Sequence, residues 1–211
     1  MIKPVLLFCC VALVASTNVQ LSFGQDAGLY ANAIDPTKAY VRVHVIDPDQ
    51  PSIGGTAVSV PDEQVSGYVS VPAGSIEIGS GDKAADMIVE AGTYYTFAQS
   101  TDGFVQFTDP AIADPSKAEV LFYNFTDTAN VNLFVPAAKT NAITAVKAGT
   151  SQSVELRAPL TLSFEAQVDG ATLASVSDVA LERKQAVSLF LTPAADGAKL
   201  VQVINSFADA N

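Results

Sequence analysis

A chain of 211 residues that is 49% apolar and 16% charged can build one large or two small cores, which excludes a disordered polymer. Lys and Arg number 11 against 22 Asp and Glu, so a nucleic acid or any other polyanion held by charge alone meets the wrong sign. One histidine and two cysteines are too few for a structural zinc site.

The chain opens with Lys3 and an apolar run from Val5 to Ala15, the n-region and h-region of a secretory signal and too short to span a bilayer comfortably. The expected signal peptide covers 1–24, with cleavage after Ser22-Phe23-Gly24 and a mature start near Gln25 preferred over an earlier cleavage near Ala15. Both cysteines, Cys9 and Cys10, fall inside it, so the mature chain is expected to carry no thiol and no disulfide. Phe8 before Cys9 lacks the small residue that a lipoprotein anchor needs. No later apolar stretch approaches eighteen residues, and no membrane insertion is expected after cleavage. The expected address is the periplasm or the extracellular space.

An N-terminal acidic β-sandwich is expected over 25–110. In Tyr40-Val41-Arg42-Val43-His44-Val45-Ile46 the valines share one face while Arg42 and His44 share the other, the period of two of a half-buried strand. Further short strands are expected at Thr56–Val60, Gly67–Val71 and Ser75–Ile78, separated by the Pro72-Ala73-Gly74 turn and the Gly79-Ser80-Gly81-Asp82 loop. A motif closes the segment: an acidic residue opens a short apolar strand (Asp86 to Val89), Glu90 ends it, a turn follows, and an alternating strand leaves through Tyr94-Tyr95-Thr96-Phe97. That makes about seven strands, and a sandwich is the simplest closed arrangement of them.

Residues 111–116 read as a linker between the breakers Asp109-Pro110 and Pro115-Ser116, with a C-terminal β-sandwich over 117–211. Glu119 to Phe125 stands where the Tyr40 strand stood. Strands at Asn130–Val135, Ile143–Val146, Gln152–Leu156 and Leu160–Ala166 follow, with Ala158-Pro159 in the place of Pro72-Ala73. The closing motif returns as Asp178 to Glu182, Arg183-Lys184-Gln185 and an alternating strand to Leu191. Each half then ends on an Asp-Gly pair, Asp102-Gly103 and Asp196-Gly197, and a last strand. From Gln25 to Ser116 there are 3 basic and 13 acidic residues; from Lys117 onward there are 7 and 9. The fold class is therefore all-β, two tandem β-sandwich domains of immunoglobulin-like or jelly-roll-like type, with the acidic excess in the first.

Catalytic chemistry has few carriers. A Ser, His, Asp arrangement would have to use His44, which sits mid-strand, and no Gly-x-Ser-x-Gly elbow occurs. No cofactor is expected, and no metal: Asp47, Asp49, Asp82 and Asp86 lack the glycine and glutamate spacing of a calcium loop. Gly79-Ser80-Gly81 has no following lysine and helix to cradle a phosphate. Candidate partner-binding residues are the basic side chains Arg42, Arg157, Arg183 and Lys184 together with His44. Tyr94 and Tyr95 are candidates for stacking on a sugar ring, although adjacent strand residues point to opposite faces, so one of the two is expected in the core.

Taken in order, Gly28-Leu29-Tyr30 after the leader, Val41-Arg42-Val43, Tyr94-Tyr95-Thr96, Lys117-Ala118-Glu119-Val120 and Val179-Ala180-Leu181-Glu182-Arg183 before an alternating strand resemble the AlgF-type periplasmic accessory proteins of alginate O-acetylation. The resemblance runs along the whole mature chain. It implies an exported, two-domain, non-catalytic adaptor whose partners are the membrane-bound and periplasmic alginate O-acetyltransferase proteins, with direct contact to the polysaccharide left open. A departure is Lys184, which stands where a turn glycine would be natural. An alternative of another class is a secreted immunoglobulin-like cell-surface or carbohydrate-binding module.

Overall fold

A computed structural model describes residues 35–46, 51–61 and 64–208. The expected signal peptide and its cleavage position lie outside the described residues, as do Asp47 and Asp49. The first half contributes β1 (Lys38–His44), β2 (Ser52–Ile53), β3 (Thr56–Ala57), β4 (Val69–Pro72), β5 (Gly74–Ser80), β6 (Lys83–Val89), β7 (Tyr94–Ser100) and β8 (Gly103–Asp109). The second contributes β9 (Lys117–Asn124), β10 (Val131–Val135), β11 (Thr140–Val146), β12 (Thr150–Arg157), β13 (Leu160–Val168), β14 (Ala171–Leu181), β15 (Ala186–Ala194) and β16 (Gly197–Ile204). Among the described residues the first half thus has eight strands rather than about seven, because the two-residue β2 is too short to show a period, and the strand expected at Thr56–Val60 is cut to the two residues of β3. Among the described residues there is no helix.

The sheets repeat as the strands do. The first half forms β4-β1-β7-β8 and β3-β2-β5-β6, and the second forms β12-β9-β15-β16 and β11-β10-β13-β14. In each half the first and seventh strands run parallel, and every other pair is antiparallel. One sandwich encloses a core of Ala39, Val41, Val43, Val71, Tyr95 and Phe97 against Ile53, Ile76, Ile78 and Val89. The other encloses Val120, Phe122, Val187, Leu189 and Leu191 against Leu133, Phe164, Val179 and Leu181. The period of two is what sends these side chains inward and their neighbours outward.

The start of each half is built the same way. Asp35 Oδ1 accepts hydrogen bonds from the Thr37 amide at 2.9 Å and its hydroxyl at 2.7 Å. Asp114 Oδ1 accepts the same pair from Ser116, at 2.9 and 2.7 Å. These bonds are the main reason both carboxyls sit below the usual carboxylate range. Asp114-Pro115-Ser116-Lys117 is therefore the second copy of Asp35-Pro36-Thr37-Lys38, and the stretch 111–116, expected as a linker, contains the opening turn of the second sandwich.

The turn before the seventh strand is repeated too. The Gly92 amide donates to the Lys38 carbonyl at 2.7 Å, and the Lys184 amide to the Lys117 carbonyl at 3.0 Å. Gly92 has φ of 75° and Lys184 φ of 60°, so Lys184 does occupy a position suited to glycine. The acidic residues of the closing motif are placed differently from the expectation. Asp86 lies within β6 opposite Glu77 rather than opening it, and Asp178 sits at a bulge inside the long β14.

Candidate functional site at the junction of the two sandwiches

The outer face of β4-β1-β7-β8 packs on the outer face of β12-β9-β15-β16. Ala98 and Phe107 of the first sandwich and Val65 from the segment before β4 meet Leu121, Tyr123, Ala186 and Phe190 of the second in one apolar cluster. Tyr123 stacks on Phe190 at 4.6 Å between ring centroids and takes Phe107 edge-on at 5.5 Å. Such ring pairs add about 0.5–1.5 kcal/mol each beyond the area they bury.

A polar network crosses this apolar layer. Arg42, only 1% exposed, projects from β1 toward the second sandwich. Its Nε donates to Thr96 Oγ1 at 2.8 Å, Nη1 to Asn205 Oδ1 at 2.8 Å, and Nη2 to Ser188 Oγ at 2.8 Å and to Tyr123 OH at 3.0 Å. The guanidinium lies over the Tyr68 ring, 4.6 Å from its centroid. Asp109, the last residue of β8 and also buried, is the counter-charge, with Oδ2 3.9 Å from Arg42 Nη2. Its oxygens accept from the hydroxyls of Tyr68 at 2.7 Å, Thr96 at 2.5 Å and Tyr123. Ser188 Oγ in turn donates to Asn205 Oδ1 at 2.7 Å.

Each group in the network has a job that its chemistry allows. Thr96 and Tyr123 accept from the cation and donate to the anion, so both charges are buried with hydrogen-bonded partners, the condition under which burial is tolerated. Burial alone would lower the pKa of Arg42; Tyr68, Tyr123 and Asp109 overcome that and raise it. The phenol of Tyr123 is pushed up, first by burial and then by Asp109, against the pull of Arg42. Tyr68 is held well above its usual range, chiefly by burial. Both phenols therefore stay protonated and able to donate.

His44 is the next residue along the same face of β1. It is 4% exposed, tilted against Phe125 at 4.7 Å and stacked on Phe190 at 5.5 Å between ring centroids. Nδ1 is buried with no hydrogen-bond partner. Burial first, and the neighbouring Arg42 second, hold its imidazole down to about 4, so it is neutral at pH 7. Among the described residues it faces the rings of Phe125 and Phe190.

The chain end completes the junction. The Tyr68 amide donates to the Ser206 carbonyl at 2.8 Å and the Ala208 amide to the Tyr68 carbonyl at 2.9 Å, a short clip joining the segment after β16 to the first sandwich. A Cβ on Gly67 would lie 2.6 Å from the Ala208 nitrogen, so the close approach requires glycine there. Tyr40 stacks on Tyr94 at 4.8 Å, and Phe207 packs edge-on against Tyr40 at 5.4 Å.

The expected site residues thus fall into three places. Arg42 and His44 are inside the junction, so neither is on a surface open to another protein; the partner they meet is the second sandwich of their own chain. Tyr95 is a core residue and presents no face to a sugar, whereas Tyr94 is half-buried with one ring face on Tyr40. Arg157, Arg183 and Lys184 are exposed and gathered at one corner of the second sandwich. Arg157 lies opposite Lys117 in the β12–β9 register, Arg183 Nε donates to the Ala158 carbonyl at 3.0 Å, and Lys184 is bonded to the Lys117 backbone. Carboxylates balance the corner: Lys117 Nζ is 2.8 Å from Glu155 and 3.4 Å from Asp114. The residues that sequence reasoning passed over are Tyr68, Thr96, Asp109, Tyr123, Ser188 and Asn205. The repeated Asp-Pro-(Thr/Ser)-Lys-Ala phrase was the available signal, since aligning the halves on it sets Arg42 against Leu121 and His44 against Tyr123. Among the described residues no three His, Cys, Asp or Glu side chains group as a metal site would require.

No family model matches the chain, and no curated protein matches it. Among solved structures, the C-terminal domain of AlgF from P. aeruginosa is similar at 20% identity and a TM-score of 0.38, over 43% of this chain and 99% of that one. A family 26 carbohydrate-binding module of Amy13K from Eubacterium rectale, in complex with maltoheptaose, is similar at 9% identity and a TM-score of 0.30, over 82% of this chain and 98% of that one. Both scores lie below one half, and the functional reading rests on the residues.

Proposed function

We propose that this protein is a non-catalytic, exported adaptor required for O-acetylation of an exopolysaccharide, alginate ahead of related polymers. In this reading it links the membrane acyl-transfer component to the periplasmic acetyltransferases. The observation that carries the reading is the junction: two like sandwiches are joined through a fully partnered buried ion pair, so surfaces on the two sandwiches stand at one fixed offset. A scaffold needs that property, and a string of independent modules does not. The ordered motifs shared with AlgF-type proteins supply the substrate class. The exposed corner at Arg157, Arg183 and Lys184 is the partner face, because its three cations are open to an incoming carboxylate.

The test is a clean deletion of the gene. Polymer export is expected to continue while its acetyl content falls to background, and complementation with Arg183→Glu/Lys184→Glu is expected to restore less acetylation than the wild-type gene. Normal acetyl content in the deletion strain rejects the assignment.

A further inference from the structure

We propose that the junction between the sandwiches is a proton-operated latch, in which protonation of His44 puts a second cation beside Arg42 in a layer of aromatic rings and releases the second sandwich from the first. The inference is independent of the adaptor reading.

The geometry carries it. His44 and Arg42 project from the same face of β1, one position of the period of two apart, so their charges would add at close range. Arg42 already has its acceptors: Thr96, Asn205, Ser188 and Tyr123 are all engaged, and Asp109 is shared among Arg42 and three hydroxyl donors. Among the described residues, the carboxylate nearest His44 in this network, Asp109, is already engaged. From β7, the residue paired with His44 is Ala98; from the segment before β4 it is Val65; from the second sandwich it is Phe125 and Phe190. None of these titrates. Among the described residues the titratable groups nearby are Arg42, Tyr123 and Asp109, and all three belong to the network just described. Nδ1 is buried and makes no hydrogen bond, and the weak pull of the residue's own backbone does not offset burial and Arg42. Two buried cations with one counter-ion cost more than the apolar layer returns, and opening the junction lets His44 reach water.

The sign follows from linkage. The closed junction holds His44 down to about 4, and an opened one lets it titrate near 6.5. The open form therefore binds more protons between those values, closure is complete above pH 6.5, and it weakens as pH falls toward 4. Between pH 7.5 and pH 5 the opening equilibrium rises about thirtyfold.

Amide hydrogen exchange on the full chain at these two pH values, corrected for intrinsic rates, reads this directly. The amides of Tyr68 and Ala208, which bond across the junction, are expected to lose protection about thirtyfold at pH 5 while the amides of β13 do not. His44→Phe and His44→Leu, which cannot take up a proton, are expected to keep protection at both pH values; either one suffices if the other does not fold. Unchanged protection of Tyr68 and Ala208 in the wild type overturns the proposal. So does an equal loss in β13, or the same loss in a folded His44 variant.

Discussion

Replacing Arg42 by Met tests the junction where it is most sensitive. The thioether chain keeps the apolar stem of the arginine and removes its charge, so packing changes little while four donated hydrogen bonds disappear. Ser188 and Asn205 still bond each other, and Thr96, Tyr68 and Tyr123 still donate to Asp109. What is lost is the cation, leaving a buried carboxylate without its counter-charge. Breaking one side of such a pair costs about 3–5 kcal/mol, which for a chain of this length is a fall of about 6–20 °C in Tm. Asp109→Asn alone is expected to cost about 2–4 kcal/mol, because it strands the guanidinium instead. The double variant Arg42→Met/Asp109→Asn buries no charge, and its cost is expected to fall short of the sum of the singles by at least about 2 kcal/mol. Urea unfolding at pH 7, with midpoints and slopes compared around the cycle, measures this. A loss under about 1 kcal/mol for Arg42→Met, or additivity within about 0.5 kcal/mol, would refute the reasoning.

Lys184→Gly relieves a left-handed backbone at an exposed turn whose counterpart is already glycine, and unfolding by urea is expected to show a gain of about 0.5–1 kcal/mol after the extra freedom of the unfolded chain is subtracted. A loss of stability would mean that the lysine side chain supports the turn. Gly67→Ala drives a Cβ into the Ala208 backbone and is expected to detach the clip after β16, read as new protease cleavage between Asn205 and Ala208 with β13 and β14 still protected. An unchanged digest would show that the clip adapts.

The strands, the duplication and the sandwich class were legible because alternation and turn residues are local. Val41, Val43 and Val45 against Arg42 and His44 is a correct reading of β1: the valines are core. What alternation cannot tell is whether a polar face looks at water or at another sheet. Arg42 finds Asn205 163 residues away and Ser188 146 residues away, and nothing near Arg42 in the chain announces either. Asp109 was masked for a different reason. Followed by Pro110 it has the local look of a strand breaker, and only the register that brings β8 beside β7 makes it a counter-ion. The turn inside 111–116 was hidden in the same way, because a Pro-containing turn that opens a domain and one that separates two domains use the same residues. The corner of Arg157, Arg183 and Lys184 was half visible: the Arg183-Lys184 pair reads as an exposed bend, while the nearness of Arg157 depends on β12 pairing with β9.

A single relative position of the two sandwiches is the property that a distance measurement tests most directly. Residues 25–211 contain no cysteine, so spin labels can be placed at Asp82→Cys, in the turn between β5 and β6, and Ser175→Cys, on β14, without background. Pulsed dipolar spectroscopy at pH 7.5 is predicted to give one narrow distance distribution that does not change between low and high salt, since a buried pair is little screened, and that broadens in Arg42→Met. A broad or multiply peaked distribution in the otherwise unaltered chain would contradict the account.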